Sequence, residues 1–288
     1  MWSGSLLQMT LIIPSAYVSH WHPRFFTSFV FIEAGIDPYL GRDALFPWMR
    51  QTLRKRESWL SRVQAETALL KNPSFRGWDP RVMSRVLEHG IYLYKNSVIE
   101  EWKLTTPKHQ EAATVFRPTI KDIDLKTSGM DDVTLEERAQ VPDLNPSSWN
   151  PQGCFRPEVT NMWNLLPNMR PWVMYINGGS SPYFGDPKTR EERAKLTGTG
   201  VGGSGGIKLS TVEQVVIEGG RHTIPFDANL GKVVTHAAEW IGREMKRWAN
   251  GEKKRRDEWR NTPLEEKQTA AKGLLEAIEK GSPNKSKL

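Results

Sequence analysis

The chain has 288 residues, of which 40 are Lys or Arg and 33 are Asp or Glu, so its formal net charge is +7. Its hydrophobic content of 38% and charged content of 25% are those of a folded chain of one large or two small domains, which excludes general disorder. A single cysteine excludes a disulfide scaffold and a thiolate zinc site, and no apolar run reaches the roughly 18 residues of a membrane-spanning helix.

Three short apolar runs predict the strands of a sheet. Phe29–Ile32, Trp172–Ile176 and Thr211–Ile217 are rich in β-branched and aromatic residues, and turn residues follow each of them. Segments with helical periodicity separate the runs. This order is typical of an α/β fold with a parallel sheet.

Apolar residues at three- and four-residue steps predict the helices. The expected helices are Ser5–Tyr17, Leu45–Leu70, one that begins with Asp79 as N-cap and Pro80 at its first position, Thr189–Leu196 and Leu230–Trp248.

The order of elements divides the chain into domains. Residues 1–248 are expected to form an α/β domain, with a helical cap at about 42–120 and a polar insertion at about 121–150. Residues 249–288 are expected to form a charged helical tail. Eight basic and four acidic side chains lie between Arg243 and Arg260. This mixed-sign run is typical of a solvated helix face, and a nucleic-acid-binding surface is the alternative.

A histidine directly follows the third predicted strand, in Gly219-Gly220-Arg221-His222. A side chain placed just past a strand end lies at the carboxyl edge of the sheet, where α/β proteins build their active sites. Imidazole titrates near neutral pH, so His222 suits a general base. The competing interpretation is a loop histidine without a chemical role.

Three carboxylates are candidates for the acid that would orient His222. Glu33 ends the first strand and is expected at the same sheet edge, whereas Asp37 and Asp186 lie in later turns and are the alternatives. We predict that Glu33 and His222 lie within a few ångströms of each other. A strand-end carboxylate that binds a nearby amide is the competing interpretation of Glu33.

The candidate nucleophile is Ser3. A nucleophile elbow carries small residues two positions before and after the nucleophile; Ser5 meets this requirement and Met1 does not. Cys154 lies in a Gly/Pro-rich loop without a neighbouring histidine and is interpreted as a bystander. Residues Gly198–Gly203 satisfy G-x-G-x-x-G, but no strand precedes them, so we interpret them as a flexible loop near the site. No His, Asp or Glu cluster has metal-binding spacing, and we expect no cofactor.

The chain ends in Ser286-Lys287-Leu288, which is the peroxisomal import signal. The preceding Gly-Ser-Pro-Asn segment favours an extended tail that an import receptor can reach. We therefore predict the import receptor as a partner and the peroxisome as the location.

Several segments together resemble one known family. They are His22–Ser28 with Phe31–Glu33, Leu104–Gln110, Thr197–Gly206 and Val215–Pro225. These segments resemble the α/β-hydrolase superfamily, in particular the fungal peroxisomal lipase/esterase-like hydrolases of host-selective toxin clusters, those making epoxy-decatrienoic acid toxins. The resemblance covers roughly residues 1–248. It implies a role in toxin biosynthesis, secondary metabolism and virulence.

The resemblance also implies a chemistry and a set of site residues. It implies hydrolysis of an ester, thioester or related bond of a small acyl intermediate. His222 takes the position of the catalytic histidine, Glu33 that of an acid used by some members, and Ser3 that of the nucleophile. The more usual acid position follows the next strand, where this chain has Asn177-Gly178-Gly179-Ser180-Ser181.

The family places several strands before the elbow, so we expect this chain to begin within or just after that elbow. Two other function classes stay open. One is a catalytically inactive homologue that binds an intermediate or a partner enzyme. The other is a nucleic-acid-binding protein that uses the Arg243–Arg260 face, against which the interspersed acidic residues argue.

Overall fold

A computed structural model describes residues 14–22, 24–38, 42–115, 157–181 and 186–280. The chain divides into two compact units, Met1–Ile241 and Gly242–Leu288. The domain limits expected from the sequence, 1–248 and 249–288, remain predictions.

The elements follow one another in chain order. The first unit begins with α1 (residues 14–21), β1 (Ser28–Ile32), α2 (Arg42–Arg54), β2 (Ser58–Trp59), α3 (Arg62–Leu70), α4 (Pro80–His89), β3 (Ile91–Lys95), β4 (Glu100–Leu104) and α5 (Lys108–Val115). It continues with α6 (Pro157–Leu165), β5 (Trp172–Gly178), α7 (Pro187–Leu196) and β6 (Val212–Ile217). Helix α8 (Leu230–Asn261) crosses the limit between the units, and α9 (Leu264–Gln268) and α10 (Lys272–Glu279) follow it.

The three predicted apolar runs form one parallel sheet in the order β1-β5-β6. In its register Phe31 lies opposite Tyr175, and Ile176 lies opposite Val215. Central β5 is buried from its second residue to its last, which is why residues 172–176 form a continuous apolar run. The predicted α/β fold with a parallel sheet is confirmed.

Helices cover both faces of this sheet. Alternate strand residues point to opposite faces, so each strand contributes side chains to both helix layers. On one face, buried side chains of the strands pack against α6 and the turn after it; this cluster includes Phe29, Phe31, Val173, Tyr175, Val159, Met162 and Leu166. On the other face they pack against the first half of α8, in a cluster that includes Met174, Ile176, Ile217, Val233 and Trp240.

Residues 42–115, the described part of the cap expected at about 42–120, contain a second sheet that the sequence analysis did not predict. Strands β2, β4 and β3 form an antiparallel sheet in the order β2-β4-β3. The expected continuous helix Leu45–Leu70 is wrong, because Ser58–Trp59 is a strand that separates α2 from α3. Trp59 packs with Leu69, Ile91 and Leu104 in a core of the cap's own.

The glycine-rich segment Gly198–Gly206 lies at the amino end of the sheet, since it leads into the start of β6. Its amides donate to backbone carbonyls: Gly198 to Leu166, Gly200 to Pro167 and Ser204 to Met169. The expectation of a loop near the site is therefore wrong, because the segment approaches the sheet at the edge opposite to His222.

Helix α8 continues to Asn261, thirteen residues beyond its predicted end at Trp248. Ion pairs between residues three or four apart line its later part, as in Arg247–Glu244 at 2.8 Å and Lys254–Glu258 at 3.7 Å. Among the described helices, none has the length and hydrophobicity that crossing a membrane requires.

Candidate active site

Glu33 occupies an unusual backbone position directly after β1. Its φ of 51° lies in the left-handed region, which non-glycine residues rarely adopt. Its N–H donates to the carbonyl of Ile176 at 2.9 Å, so the turn is held against β5. Such a conformation persists where surrounding contacts over-determine it, and it is concentrated at functional sites.

The Glu33 carboxylate binds His222 and the end of β5 at the same time. Its Oε2 lies 2.8 Å from Nδ1 of His222, and its Oε1 accepts a hydrogen bond from the N–H of Gly178. The side chains are 1% exposed for Glu33 and 10% exposed for His222. The predicted proximity of Glu33 and His222 is confirmed.

Backbone hydrogen bonds fix the loop that carries His222. Gly219 turns the chain with a φ of 68°, and Gly220 donates back to the carbonyl of Ile217 at 3.0 Å. Ser180, in the loop after β5, donates to the carbonyl of Gly220 at 2.8 Å. The loops that follow β5 and β6 are therefore tied together at the carboxyl edge of the sheet.

The two loops cross so closely that Gly178 has no room for a side chain. A Cβ on Gly178 would lie 2.6 Å from the carbonyl oxygens of both Gly220 and Arg221. Both obstacles are backbone atoms, so they cannot rotate away as a flexible side chain would. Gly178 thus lets the Glu33 turn, β5 and the His222 loop meet at one point.

The two alternative acids have other partners. Asp186 caps α7, where its Oδ2 accepts hydrogen bonds from the N–H and the hydroxyl of Thr189 at 2.9 and 2.8 Å. The bond from the Thr189 N–H holds the pKa of Asp186 below its ordinary value. Asp37 interacts electrostatically with Arg193. Glu33, by contrast, contacts His222 directly.

Helix α7 supplies two buried arginines that the sequence analysis did not single out. Arg193 donates to the carbonyl of Ala34 at 2.7 Å and to Oδ1 of Asn177 at 2.6 Å. Arg190 donates to the carbonyl of Gly178 at 2.8 Å. Their sequence, in a short and strongly charged helix, is typical of a solvent-exposed element, so no local signal marks them as buried.

Comparisons with known proteins identify fungal relatives. A type I acyl-CoA thioesterase of Penicillium roqueforti is 28% identical over 259 residues, which are 82% of this chain and 57% of that protein. An abhydrolase domain-containing protein of Alternaria alternata is 33% identical over 100 residues, which are 34% of this chain and 37% of that protein.

The chain is therefore similar in sequence to fungal thioesterases and abhydrolases, and its parallel sheet is consistent with an α/β-hydrolase fold. It spans little more than half the length of the thioesterases that it matches. No family model matches it. Among solved structures, the peroxisomal α/β-hydrolase Lpx1 of Saccharomyces cerevisiae has a TM-score of 0.48 at 10% identity, with 80% of this chain and 50% of that one covered. A TM-score below 0.5 is too low to add to the assignment.

The cap contacts the loop that carries His222. The N–H of Asp79 donates to the carbonyl of Phe226 at 2.7 Å, and the N–H of Ala228 donates to the carbonyl of Gly77 at 3.1 Å. The Trp78 ring stacks on Phe226 with centroids 5.2 Å apart. Phe226, which is four positions after His222 in the sequence, therefore forms an aromatic surface with Trp78 in this loop.

The other predicted residues have different outcomes. Trp59 is 3% exposed and belongs to the core of the cap. Ser3, Cys154 and the insertion at 121–150 lie outside the described residues, as does the signal Ser286-Lys287-Leu288. Within the described ranges, no three His, Cys, Asp or Glu residues are grouped to hold a metal.

Proposed function

We propose that this protein hydrolyses the ester or thioester bond of an acyl substrate, with His222 as the general base and Glu33 as the acid that orients it. The buried contact between Nδ1 of His222 and Oε2 of Glu33, 2.8 Å long at the carboxyl edge of the sheet, carries the proposal. This is the geometry of a histidine held in one tautomer by a carboxylate.

The contact determines what each nitrogen of His222 does. With Nδ1–H donating to Glu33, Nε2 carries the lone pair that accepts a proton. When Nε2 takes that proton, the ring becomes positive, and the adjacent carboxylate stabilises the charge. The Gly178 N–H fixes the second oxygen of Glu33, so the carboxylate is pre-oriented before the proton moves.

Ser3 supplies the nucleophile in this proposal. Its hydroxyl oxygen attacks the acyl carbonyl as its proton passes to Nε2 of His222, and the leaving thiol or alcohol takes that proton as the bond to the acyl carbon breaks. Water then attacks the acyl-serine, gives its proton to His222 and releases the acid, and the proton returns to Ser3.

Two observations support an acyl thioester as the substrate. The relative of Penicillium roqueforti is named as an acyl-CoA thioesterase. The stacked rings of Trp78 and Phe226 place an apolar surface beside the loop of His222, which suits a hydrocarbon chain.

We place this hydrolysis in the peroxisome, with the import receptor as a partner. The final residues Ser286-Lys287-Leu288 support this location, because that tripeptide is read by the receptor at a free C-terminus. A role in fungal secondary metabolism, such as toxin biosynthesis, remains part of the same proposal.

The test is thiol release from acyl-CoA esters of several chain lengths by the purified chain. Replacing the base or the nucleophile, as in His222→Ala or Ser3→Ala, should lower kcat/KM by roughly 10⁴-fold or more. His89→Ala is the matched control, because His89 is an exposed histidine at the end of α4 whose side chain is 66% exposed. Its rate should equal that of the unmodified chain.

Two results would overturn the proposal. Turnover that survives in His222→Ala would exclude this base. A folded chain that binds acyl-CoA without releasing thiol would instead support the inactive, ligand-binding homologue.

A further inference from the structure

We propose that Arg193, together with Arg190, is a positioning residue that fixes the Glu33 carboxylate on His222. The inference rests on the proposed function, because it assigns a role at the same site. The contacts of α7 with the ends of β1 and β5 carry it.

Arg193 joins the residue after Glu33 to the end of β5. Its Nη1 donates to the carbonyl of Ala34, the neighbour of Glu33, and its Nη2 donates to the side chain of Asn177. A planar guanidinium can make both bonds at once, which a single ammonium group cannot do in the same geometry. The strand ends that carry Glu33 and its partner Gly178 are therefore held by one side chain.

Arg190 acts on the second contact of the carboxylate. Its Nη1 binds the carbonyl of Gly178, and the N–H of that same Gly178 donates to Oε1 of Glu33. Arg193 thus holds the backbone that follows Glu33, and Arg190 holds the Gly178 peptide that binds Oε1. The other carboxylate oxygen of Glu33, Oε2, contacts His222.

Burying the charged guanidinium of Arg193 costs solvation free energy. Arg193 is 1% exposed, and both of its hydrogen-bond acceptors are uncharged. Its guanidinium lies over the ring of Tyr175, 4.7 Å from the centroid. Burial lowers the pKa of Arg193, whereas the nearby Tyr175 and Glu33 raise it. The two hydrogen bonds and the ring contact offset part of the cost of burial and hold the guanidinium beside the strand ends that carry Glu33 and Gly178.

The test follows the hydrogen-bonded Nδ1 proton of His222 by NMR in the whole chain with labelled histidine, and His222→Asn assigns that signal by its loss. Arg193→Lys keeps a positive charge without the fork, and Arg193→Met removes the charge but keeps an unbranched side chain. In both variants the proton should exchange with water at least about tenfold faster. The kcat for thioester hydrolysis should fall by about 10- to 100-fold with KM nearly unchanged.

Lys195→Met is the matched control, because Lys195 lies on the same helix and pairs with Glu191 at its exposed surface. It should leave both the Nδ1 proton and kcat unchanged. Arg190→Met provides a second variant that acts through Gly178, with a change in the same direction. Circular dichroism gives the folded fraction to which each measurement is normalised.

The outcomes separate this role from the proposed function. An inactive chain whose Nδ1 proton still depends on Arg193 would contradict the hydrolysis and leave the positioning role in place. An active chain in which the folded Arg193 and Arg190 variants keep the proton signal and kcat would overturn the positioning role. Lower stability alone, with signal and kcat retained, would also overturn it.

Discussion

At the residue scale, the site depends on which carboxylate binds the ring of His222. Glu33 reaches Nδ1 of His222, whereas Asp186 serves as an ordinary helix cap. The resemblance places the more usual acid after the next strand, where this chain has Asn177-Gly178-Gly179-Ser180-Ser181. Gly178 still takes part, because its amide binds the carboxylate that arrives from β1.

Gly178→Ala tests how tightly this point is packed. An added Cβ would press on two backbone carbonyl oxygens at 2.6 Å, so we expect the free energy of unfolding to fall by about 1–3 kcal/mol. We also expect the His222 loop to move away from Glu33, with a large loss of thioester hydrolysis. Urea denaturation and the thiol-release assay measure the two effects.

Gly231→Ala is the control for that experiment. Gly231 lies in the first turn of α8, and nothing is within 4 Å of an added Cβ there. Alanine is a better helix former than glycine, so this variant should be at least as stable as the unmodified chain. Equal stability of the two variants would show that the crossing at Gly178 is not tight.

At the element scale, local sequence signals predicted the start of α4 but not which side chains of α7 are buried. Asp79 caps α4 and Pro80 opens it, as expected from the pattern. Helix α7 was also expected, but burial of Arg190 and Arg193 was not. The antiparallel sheet of the cap was missed, although Asn96 between β3 and β4 accepts two amide hydrogen bonds in a tight turn that a hairpin reading could have found.

Asp79→Ala tests the capped start of α4. The side chain and main-chain N–H of Arg81 hold the pKa of Asp79 at about 2, below the ordinary 3.8. Loss of the cap should lower Tm by about 2–4 °C at neutral pH. Asp79→Asn should retain most of the stability, because asparagine also caps helices well.

The loss of Tm in Asp79→Ala is expected to depend on pH. Because the pKa of Asp79 is lower in the folded protein, its stabilisation is complete above about pH 4 and is lost as the pH falls toward about 2. The Tm difference between the unmodified chain and Asp79→Ala should therefore shrink over that interval. A difference that stays constant down to pH 2 would contradict the role of the ionised carboxylate.

At the scale of the whole molecule, one parallel sheet brings together residues that are far apart in sequence. Glu33 and His222 are 189 positions apart, yet both follow strands that end at the same edge. Strand β5 lies between β1 and β6 and runs parallel to both, and helices on both faces of the sheet bury β5. The cap contacts the His222 loop through the hydrogen bond from Asp79 to Phe226 and through the stacked rings of Trp78 and Phe226.

The proposed location rests on the final tripeptide Ser286-Lys287-Leu288. A fluorescent protein fused before Met1 should give a punctate pattern that coincides with a peroxisomal marker in a fungal cell. Deletion of Ser286-Lys287-Leu288 should make the fluorescence diffuse, because the import receptor binds that tripeptide. Adding residues after Leu288 is a matched control and should have the same effect. A punctate pattern after the deletion would exclude this signal.

The sequence by itself determined the strands of the parallel sheet, the cap of α4 and the proximity of His222 to Glu33. These follow from local features: continuous apolar runs, an Asp-Pro pair, and polar residues just past strand ends, which a parallel sheet must gather at one edge. The tertiary structure decided the rest. It selected Glu33 over Asp186, buried two arginines of a strongly charged helix, and moved the glycine-rich segment to the opposite edge. Those outcomes depend on contacts between distant segments, such as Arg193 with Ala34 and Gly178 with Gly220, which leave no periodicity in the chain for local patterns to reveal.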